Sequence, residues 1–183
     1  MKWLIASDIH GSAMYTRQLL EAFEAEGADR LILLGDILYH GPRNDLPAGY
    51  APKEVIELLN GMKDKILAVR GNCDTEVDQM VLSFPVLADY AILPLGDRLV
   101  YMTHGHVYNL SALPPLTEGD ILLHGHTHVP ACIEEKGVRY LNPGSVSIPK
   151  EASPHSYMTL EDGVFLWKDL TSREIYKEFT PAV

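Results

Sequence analysis

Three short apolar runs separated by helical segments open the chain, and this order restricts the fold more than any other feature. A first helix is predicted between Ser12, as N-cap, and Gly27, as stop signal, and a second over residues 52–62. Connections that contain a helix join parallel strands, so the first half predicts a β-α-β-α-β unit. The runs of strand length are residues 3–7, 30–34 and 65–69.

After about residue 84 the pattern changes to short strands with little helical spacing. We therefore expect an α/β fold, a four-layer α/β/β/α sandwich of two mixed sheets flanked by helices. With 183 residues and 46% hydrophobic content, the chain is expected to form a single domain over residues 1–183. The predicted strands of the second half are residues 90–95, 99–103, 121–124, 138–142, 157–160 and 164–167.

Charge and cysteine content exclude several classes of function. With 15 Lys and Arg against 25 Asp and Glu, the formal charge of −10 predicts no stable nucleic-acid binding. A small phosphate ester is compatible with this charge, because bound divalent cations reverse the potential within an acidic pocket. The N-terminal segment resembles neither a signal peptide nor a membrane span, which predicts a cytoplasmic protein with no membrane partner. Cys73 and Cys132 are the only cysteines, so no disulfide framework or four-cysteine zinc site is expected.

Side chains of metal-ligand type stand at the ends of five predicted strands. Taken singly, an Asp at a strand end is usually a turn residue, and a His is usually a hydrogen-bonded one. At five strand ends they indicate a common site, because ligands of open α/β sheets bind at the carboxyl ends of the strands. The residues are Asp8, His10, Asp36, Asn72, His104, His126 and His128.

Carboxylate, imidazole and amide donors suit two divalent metal ions. Mn²⁺ is the preferred ion, and Fe²⁺ or Zn²⁺ also fits the donor set. One carboxylate can bridge two ions about 3.5 to 4 Å apart, and Asp36 is predicted to be that bridge. Such a pair polarises a phosphoryl group and lowers the pKa of a bridging water, so that hydroxide exists near neutral pH. The donor set therefore predicts phosphate-ester hydrolysis without a covalent enzyme intermediate.

Five motifs, in order, resemble those of the calcineurin-like metallophosphoesterase superfamily. They are Asp8-Ile9-His10, Gly35-Asp36, Gly71-Asn72, His104-Gly105 and Gly125-His126-Thr127-His128. The GNCD, THGH, GHTHVP, NPGS and HGPRN segments resemble, more narrowly, the bacterial YfcE-type phosphodiesterases.

The resemblance implies a metal-dependent phosphodiesterase that cleaves a small-molecule substrate through a dinuclear metal site and a bridging hydroxide. It also favours a homo-oligomer. By the resemblance, one ion would be held by Asp8, His10, Asp36 and His128, and the other by Asp36, Asn72, His104 and His126.

Cys73 departs from the superfamily pattern. Members often have a His directly after the motif asparagine, where it is thought to assist the leaving group or bind phosphate. A thiol is shorter than an imidazole and cannot act as a cationic donor. We therefore expect either a preference for esters with good leaving groups or protonation of the leaving group by His106. Asp74, next in the chain, is expected to orient its neighbours. The predicted catalytic residues are Asp36, Asn72, Cys73 and His106.

Four residues are predicted to contact the substrate. His40 and Arg43 lie in a loop rich in Gly and Pro just after Asp36, where the alternative is a simply solvated loop. Cys73 and His106 complete this set. The segment from Asn142 to Ser145 is predicted to be a turn between strands.

Two alternative functions use the same fold. A phosphomonoesterase would need extra cationic donors for a dianionic phosphate, and only Arg43 and Arg70 are near arginines in sequence. A protein-binding scaffold with weak activity is the second alternative, as in a retromer subunit of the superfamily that has lost metal ligands. All matched ligand residues are present in this chain, which favours an enzyme.

Overall fold

The structure, a computed structural model, describes residues 1–181 and folds them into two facing β-sheets. The helices are α1 (Ala13–Ala25), α2 (Pro52–Asn60) and α3 (Glu76–Val81), with a short 3-10 helix at Lys63–Lys65. The strands are β1 (Trp3–Ala6), β2 (Arg30–Leu33), β3 (Ile66–Ala68), β4 (Ala91–Leu95), β5 (Arg98–Thr103), β6 (Ile121–His124), β7 (Ala131–Glu135), β8 (Val138–Asn142), β9 (Ser156–Glu161), β10 (Val164–Asp169) and β11 (Ile175–Phe179).

Both sheets are mixed. The first has the order β11-β10-β9-β1-β2-β3, in which β1, β2 and β3 are parallel, with Leu4 opposite Leu31. Strands β9 to β11 continue it in antiparallel pairing. The second sheet has the order β4-β5-β6-β8-β7, with β5, β6 and β8 parallel and both edge strands antiparallel. The predicted parallel unit is therefore confirmed, and the second half adds the facing sheet.

The two long helices begin and end near the predicted signals. Ser12 Oγ accepts a hydrogen bond from Tyr15 N at 3.3 Å, which satisfies an amide of the first turn of α1. Gly27, just beyond α1, has a φ of 60°, the left-handed conformation that commonly ends helices. Helix α2 begins at Pro52 as predicted and ends at Asn60, because the short 3-10 helix follows and leads into β3.

Apolar side chains of the first sheet alternate between two cores. On one face, Leu4 and Leu31 pack against α1 and α2. On the other face, Ile5 belongs to a buried cluster with Leu123 of the second sheet and with Trp167 of β10. Each large side chain buried in this way stabilises the fold by about 1.5 to 3 kcal/mol. Because apolar side chains fill the interior of the sandwich, the strand ends are the place where a polar site can form.

An irregular segment over residues 105–120 covers the outer face of the second sheet. Tyr108, Leu110 and Leu113 of this segment pack against Tyr101 and Tyr140 of the sheet. The predicted fold class of two facing mixed sheets is confirmed. Helices cover the outer face of the first sheet, whereas this irregular segment, and not a helix, covers the outer face of the second. Each helix described in residues 1–181 is too short or too polar to span a membrane.

Besides the short 3-10 helix, three of the described elements are not predicted by the sequence patterns. Strands β7 and β11 lie at sheet edges, where exposed charged residues interrupt the apolar alternation that indicates a strand. Helix α3 has only six residues, and its local signal is the capping box formed by Thr75 and Asp78.

Glu26 ties the end of α1 to the first sheet. Its carboxylate accepts hydrogen bonds from Lys168 Nζ at 2.6 Å and from the Tyr157 hydroxyl at 2.8 Å, and it lies 2.9 Å from Lys2 Nζ. Burial alone would raise the pKa of Glu26, but the hydrogen bonds from Lys168, Lys2 and Tyr157 lower it to about 2. Because the folded pKa is depressed, the stabilisation is present above the unfolded value of 4.5 and is lost as the pH falls toward about 2.

We expect Glu26→Gln to lower the free energy of unfolding at pH 7 by about 1 to 3 kcal/mol, because charged hydrogen bonds are lost. The difference from the wild type should shrink as the pH falls below about 4.5, which urea unfolding at several pH values measures. Glu24→Gln, an exposed position on the same helix, is the matched control. A difference of the same size at pH 7 and at about pH 2.5 would contradict this account.

Candidate metal centre

Five loops at one end of the sandwich carry the candidate ligands. Each loop follows the carboxyl end of a parallel strand, namely β1, β2, β3, β5 or β6. The structure brings all seven predicted ligand residues together at this end. The buried ones are Asp8, His10, Asp36, His104 and His128, while His126 is half-buried and Asn72 is exposed.

Backbone carbonyls fix the orientation of three imidazoles. His10 Nδ1 lies 2.8 Å from Tyr39 O, His104 Nδ1 lies 2.6 Å from Leu34 O, and His128 Nδ1 lies 2.8 Å from Ile148 O. A carbonyl accepts a hydrogen bond and cannot donate one, so Nδ1 carries the proton in each ring. Each Nε2 therefore faces the centre and is the nitrogen that a metal ion would bind after loss of any proton, the arrangement that metal-binding histidines adopt.

The first ligand group consists of Asp8, His10 and His128. Nε2 of His10 and Nε2 of His128 are 3.2 Å apart, and Asp8 Oδ1 is 3.2 Å from His128 Nε2. Asp8 Oδ1 is buried and has no hydrogen-bond partner among residues 1–181. A buried carboxylate oxygen facing two imidazole nitrogens requires a proton or a cation between them. These residues therefore fit a divalent metal ion.

The second ligand group lies beside the first. His104 Nε2 is 3.4 Å from Asp36 Oδ2, 3.1 Å from Asn72 Oδ1 and 3.1 Å from His126 Nδ1. Asp36 Oδ2 is also 3.7 Å from His10 Nε2, a member of the first group. The Asp36 carboxylate thus stands between the two groups, which is the position of a bridging ligand.

The carboxylates and the histidines shift each other's pKa values. Burial acts to raise the pKa of Asp8, but the adjacent imidazoles of His10 and His128 and the charge of His104 bring it well below its usual range. Burial lowers the pKa of His104, while the hydrogen bond to Asp36 and the charges of Asp8 and Asp36 raise it to about 9. Without metal, a protonated imidazole balances the carboxylate charge, and a bound divalent ion would balance the same charge in its place. Metal binding here would therefore release protons.

The site loops depend on an unusual backbone. A left-handed φ costs a residue other than glycine about 1 kcal/mol or more, and such strain is concentrated at functional sites. Gly71 leaves no space for a side chain, because a Cβ there would overlap Asp36 Oδ1, and a Cβ at Gly125 would overlap Ser7 Oγ. The strained site residues are Asp8 (60°), His10 (49°), Asp36 (54°), His126 (67°) and His128 (63°).

Asp74 holds two of these loops together, as expected of a residue that orients its neighbours. Its carboxylate accepts hydrogen bonds from the backbone amides of Asp36 at 2.8 Å, Ile37 at 2.9 Å and Gly71 at 2.7 Å. Burial raises the pKa of Asp74, and these amide hydrogen bonds oppose that shift. Asp74 therefore fixes Asp36 without taking part in the ligand groups.

The end of β8 and the loop after it support the other side of the centre. Asn142 Nδ2 donates to Gly125 O at 2.8 Å and to Thr127 Oγ1 at 3.0 Å. The Ser145 hydroxyl donates to Asp8 O at 2.9 Å, and that of Ser147 donates to the same oxygen at 3.0 Å. Asn142 is the last residue of β8 and residues 143–145 form an irregular loop, so the prediction of a turn at 142–145 is wrong. The segment instead positions ligand residues, a role that the sequence pattern does not indicate.

A cleft of about 460 Å³ opens beside the ligand groups. It includes Arg43 and Cys73 of the predicted substrate residues, and it adds Thr127 and Lys150, which sequence reasoning missed. Their only signal in the sequence is proximity to the GHTH and NPGS segments. The lining residues are Asp36, Gly41, Pro42, Arg43, Asn44, Asn72, Cys73, His126, Thr127, His128 and Lys150.

The other predicted substrate residues lie outside this cleft. The His40 ring packs edge-on against Tyr39 and Tyr50, so the predicted direct contact of His40 with substrate finds no support in its position. His106 is exposed, with its ring centroid 5.4 Å from that of His104. Arg70, considered for a phosphomonoesterase, donates to Asp74 O at 3.1 Å and does not line the cleft.

Facing mixed sheets with carboxylate, imidazole and amide donors at the strand ends define a metallophosphoesterase architecture. The chain matches the model of the Calcineurin-like phosphoesterase superfamily domain over residues 1–162, and it belongs to this superfamily. The predicted family and the prediction of an enzyme of this class are confirmed. The family uses divalent metal ions, whereas the identity of the metal stays a prediction.

Individual relatives agree with the narrower resemblance. Phosphodiesterase YfcE of Escherichia coli (strain K12) is 49% identical over 164 residues, which cover 90% of this chain and 89% of that protein. The solved structure of Yfce, a phosphoesterase from E. coli, matches with a TM-score of 0.95 and 46% identity over 100% of both chains. Vacuolar Protein Sorting 29 from Cryptosporidium parvum matches with a TM-score of 0.62 and 21% identity, covering 98% of this chain and 97% of that one, which shows a shared fold alone.

We expect Asp74→Asn to destabilise the protein by about 1 to 3 kcal/mol, because one carboxylate oxygen becomes a donor that faces backbone amides. The displaced Asp36 should also lower metal affinity by about 10 to 100-fold, as loss of outer hydrogen bonds commonly does. Thermal unfolding and calorimetric Mn²⁺ titration measure the two effects. Asp89→Asn, at an exposed position, is the control. Wild-type metal affinity in Asp74→Asn would refute this role.

Proposed function

We propose that the chain is a phosphodiesterase that uses two divalent metal ions to hydrolyse a small phosphodiester. The observation that carries the proposal is the convergence of strand-end imidazole nitrogens, turned inward by backbone carbonyls, around two buried carboxylates. A relative that is 49% identical over 164 residues is named a phosphodiesterase, which supports the diester class. A cytoplasmic location and a homo-oligomeric state stay predictions of the sequence.

Asp36 is assigned as the bridge, because its Oδ2 lies 3.7 Å from His10 Nε2 and 3.4 Å from His104 Nε2. Mn²⁺ is the proposed ion, and Fe²⁺ or Zn²⁺ suits the same nitrogen and oxygen donors. When bound, the pair supplies the charge that polarises the phosphoryl group and lowers the pKa of the attacking water. Asp8, His10, Asp36 and His128 would hold one ion, and Asp36, Asn72, His104 and His126 the other.

The protein's own contribution is to hold these groups and the substrate in place. Cys73 N donates to Asp36 Oδ1 at 2.8 Å, which leaves Oδ2 directed at the ligand groups. Arg43 lines the cleft and is proposed to contact a phosphate substituent. His40 is proposed to act through its packing on Tyr39 and Tyr50, which supports the loop that carries Arg43.

Two candidates for protonating the leaving group are Cys73 and His106. Burial and the neighbouring Asp36 raise the pKa of the Cys73 thiol, so it is neither a cationic donor nor a thiolate at neutral pH. Burial and the charge of His104 lower the pKa of His106, so its ring is mainly neutral at the same pH. Weak proton donation supports a preference for esters whose leaving groups depart without assistance.

The test compares metal-stripped and Mn²⁺-reloaded protein on bis(p-nitrophenyl) phosphate and on p-nitrophenyl phosphate. Diester turnover should return with Mn²⁺, and Asp36→Asn should lower it by about 100-fold or more because both ions lose a ligand. Equal turnover in Asp36→Asn, or none in any state, would contradict the proposal and favour the protein-binding scaffold. Faster turnover of the monoester would favour the phosphomonoesterase.

The residue at position 73 should determine how strongly turnover depends on the leaving group. Cys73→His should raise turnover of diesters with poor, alkyl leaving groups by about tenfold or more relative to p-nitrophenyl diesters, because imidazolium is a general acid. Plots of log kcat against leaving-group pKa measure the change as a shallower slope. Cys73→Ser, which changes the thiol without adding a cationic donor, is the matched control. An unchanged slope in Cys73→His would count against the role given to this position.

A further inference from the structure

The cleft beside the ligand groups has a cationic side. Arg43 reaches it from the loop after β2 in the first sheet, and Lys150 reaches it from the loop after β8 in the second sheet. Both side chains are exposed. Among the described lining residues, Asp36 is the only carboxylate, and it is engaged by Cys73 N and the ligand histidines. The cleft outside the ligand groups therefore carries a local excess of positive charge.

These two cations are not used for stability. Within residues 1–181, neither the Arg43 guanidinium nor the Lys150 ammonium has a hydrogen-bond or ion-pair acceptor. Arg43 is the only arginine of the described residues that lacks such an acceptor, whereas exposed lysines such as Lys53 and Lys63 also lack one. The other arginines each contact a carboxylate or a carbonyl: Arg17, Arg30, Arg70, Arg98, Arg139 and Arg173.

Both cations begin from a backbone that is fixed relative to the centre. Asn44 Nδ2 donates to His40 O at 2.9 Å and Asn44 N donates to Gly41 O at 3.3 Å, which closes the turn that carries Arg43. Lys150 N donates to His128 O at 3.1 Å, so this loop is tied directly to a ligand residue. Both cations therefore extend into the cleft from backbone that is anchored beside the ligand groups.

We propose that Arg43 and Lys150 bind a second anionic group, a carboxylate or a phosphoryl, on one substituent of the phosphodiester. This inference rests on the proposed function. The phosphoryl group of a diester has a single negative charge, which two divalent ions already neutralise, so two additional cations match an additional anion. The planar guanidinium of Arg43 suits two oxygens of that anion, and the ammonium of Lys150 acts as a point charge. The substrate class is therefore a diester with an anionic substituent.

Three diesters with the same p-nitrophenyl leaving group test the proposal on the Mn²⁺-loaded enzyme. Their second substituents are benzyl, 4-carboxybenzyl and 4-phosphonobenzyl, so that only the added anion differs. We expect kcat/KM to be about tenfold or more higher for an anionic diester than for the benzyl diester, mainly through a lower KM. A factor of this size corresponds to the free energy of one charged hydrogen bond. Rising salt should reduce this ratio. Whether the carboxylate or the phosphonate gives the higher ratio identifies the anion.

Variants assign the preference to the two cations. In the double variant Arg43→Ala/Lys150→Ala, the ratio of kcat/KM between anionic and benzyl diesters should fall to about one. Each single variant should give a ratio between those of the wild type and the double variant. Lys63→Ala is the matched control, because this exposed cation precedes β3 at the end of the sheet opposite the centre, and it should keep the wild-type ratio. Bound Mn²⁺ per chain is measured in every variant.

Two results would overturn this inference while leaving the proposed function in place. One is a wild-type ratio of about one, and the other is a ratio that the double variant retains. Loss of p-nitrophenyl phosphate turnover in the double variant, with no preference among the diesters, would assign the cations to a monoester dianion instead. Absence of metal-dependent turnover of every diester would overturn the proposed function, and this inference with it.

Discussion

Two carboxylates, Asp8 and Asp36, are buried in one pocket at the strand ends, with 0% and 2% of their surfaces exposed. Burial and the charge of Asp8 act to raise the pKa of Asp36, but the hydrogen bond and the charge of His104 bring it below its usual range. Buried charges are tolerated only when they are paired. The surrounding imidazoles provide compensating charge, and divalent ions of the kind that the family uses would provide it when bound. The loops, glycines and carbonyl acceptors of the centre hold these groups around the two carboxylates.

The backbone around these carboxylates contains strained conformations, which cost stability and fix the geometry of the site. Five site residues with left-handed φ values are held by contacts outside the ligand groups. Asp74 accepts hydrogen bonds from three amides on one side, and Ser145 and Ser147 donate to Asp8 O on the other. Because strain of this kind persists only where neighbours fix it, the same hydrogen bonds account for both the shape of the loops and the position of the ligands.

The sequence predicts the parts of this structure that local chemistry determines. The parallel unit follows from apolar runs, a Ser12 cap and Gly27, and the ligand residues follow from their places directly after strands. Edge strands β7 and β11 are not predicted, because exposed charges break their alternation. Lys150 is not predicted either, since it reaches the cleft through a hydrogen bond between distant loops, from Lys150 N to His128 O. Conversely, His40 is predicted at the substrate, but its ring packs on Tyr39 and Tyr50.

The most direct test of the central claim is anomalous diffraction from crystals of the Mn²⁺-loaded protein. We expect two anomalous peaks about 3.5 to 4 Å apart, with the Asp36 carboxylate between them. One peak should be bound by His10 and His128, and the other by His104 and His126. A single peak, or peaks away from Asp36, would contradict a dinuclear centre and the assignment of its bridge.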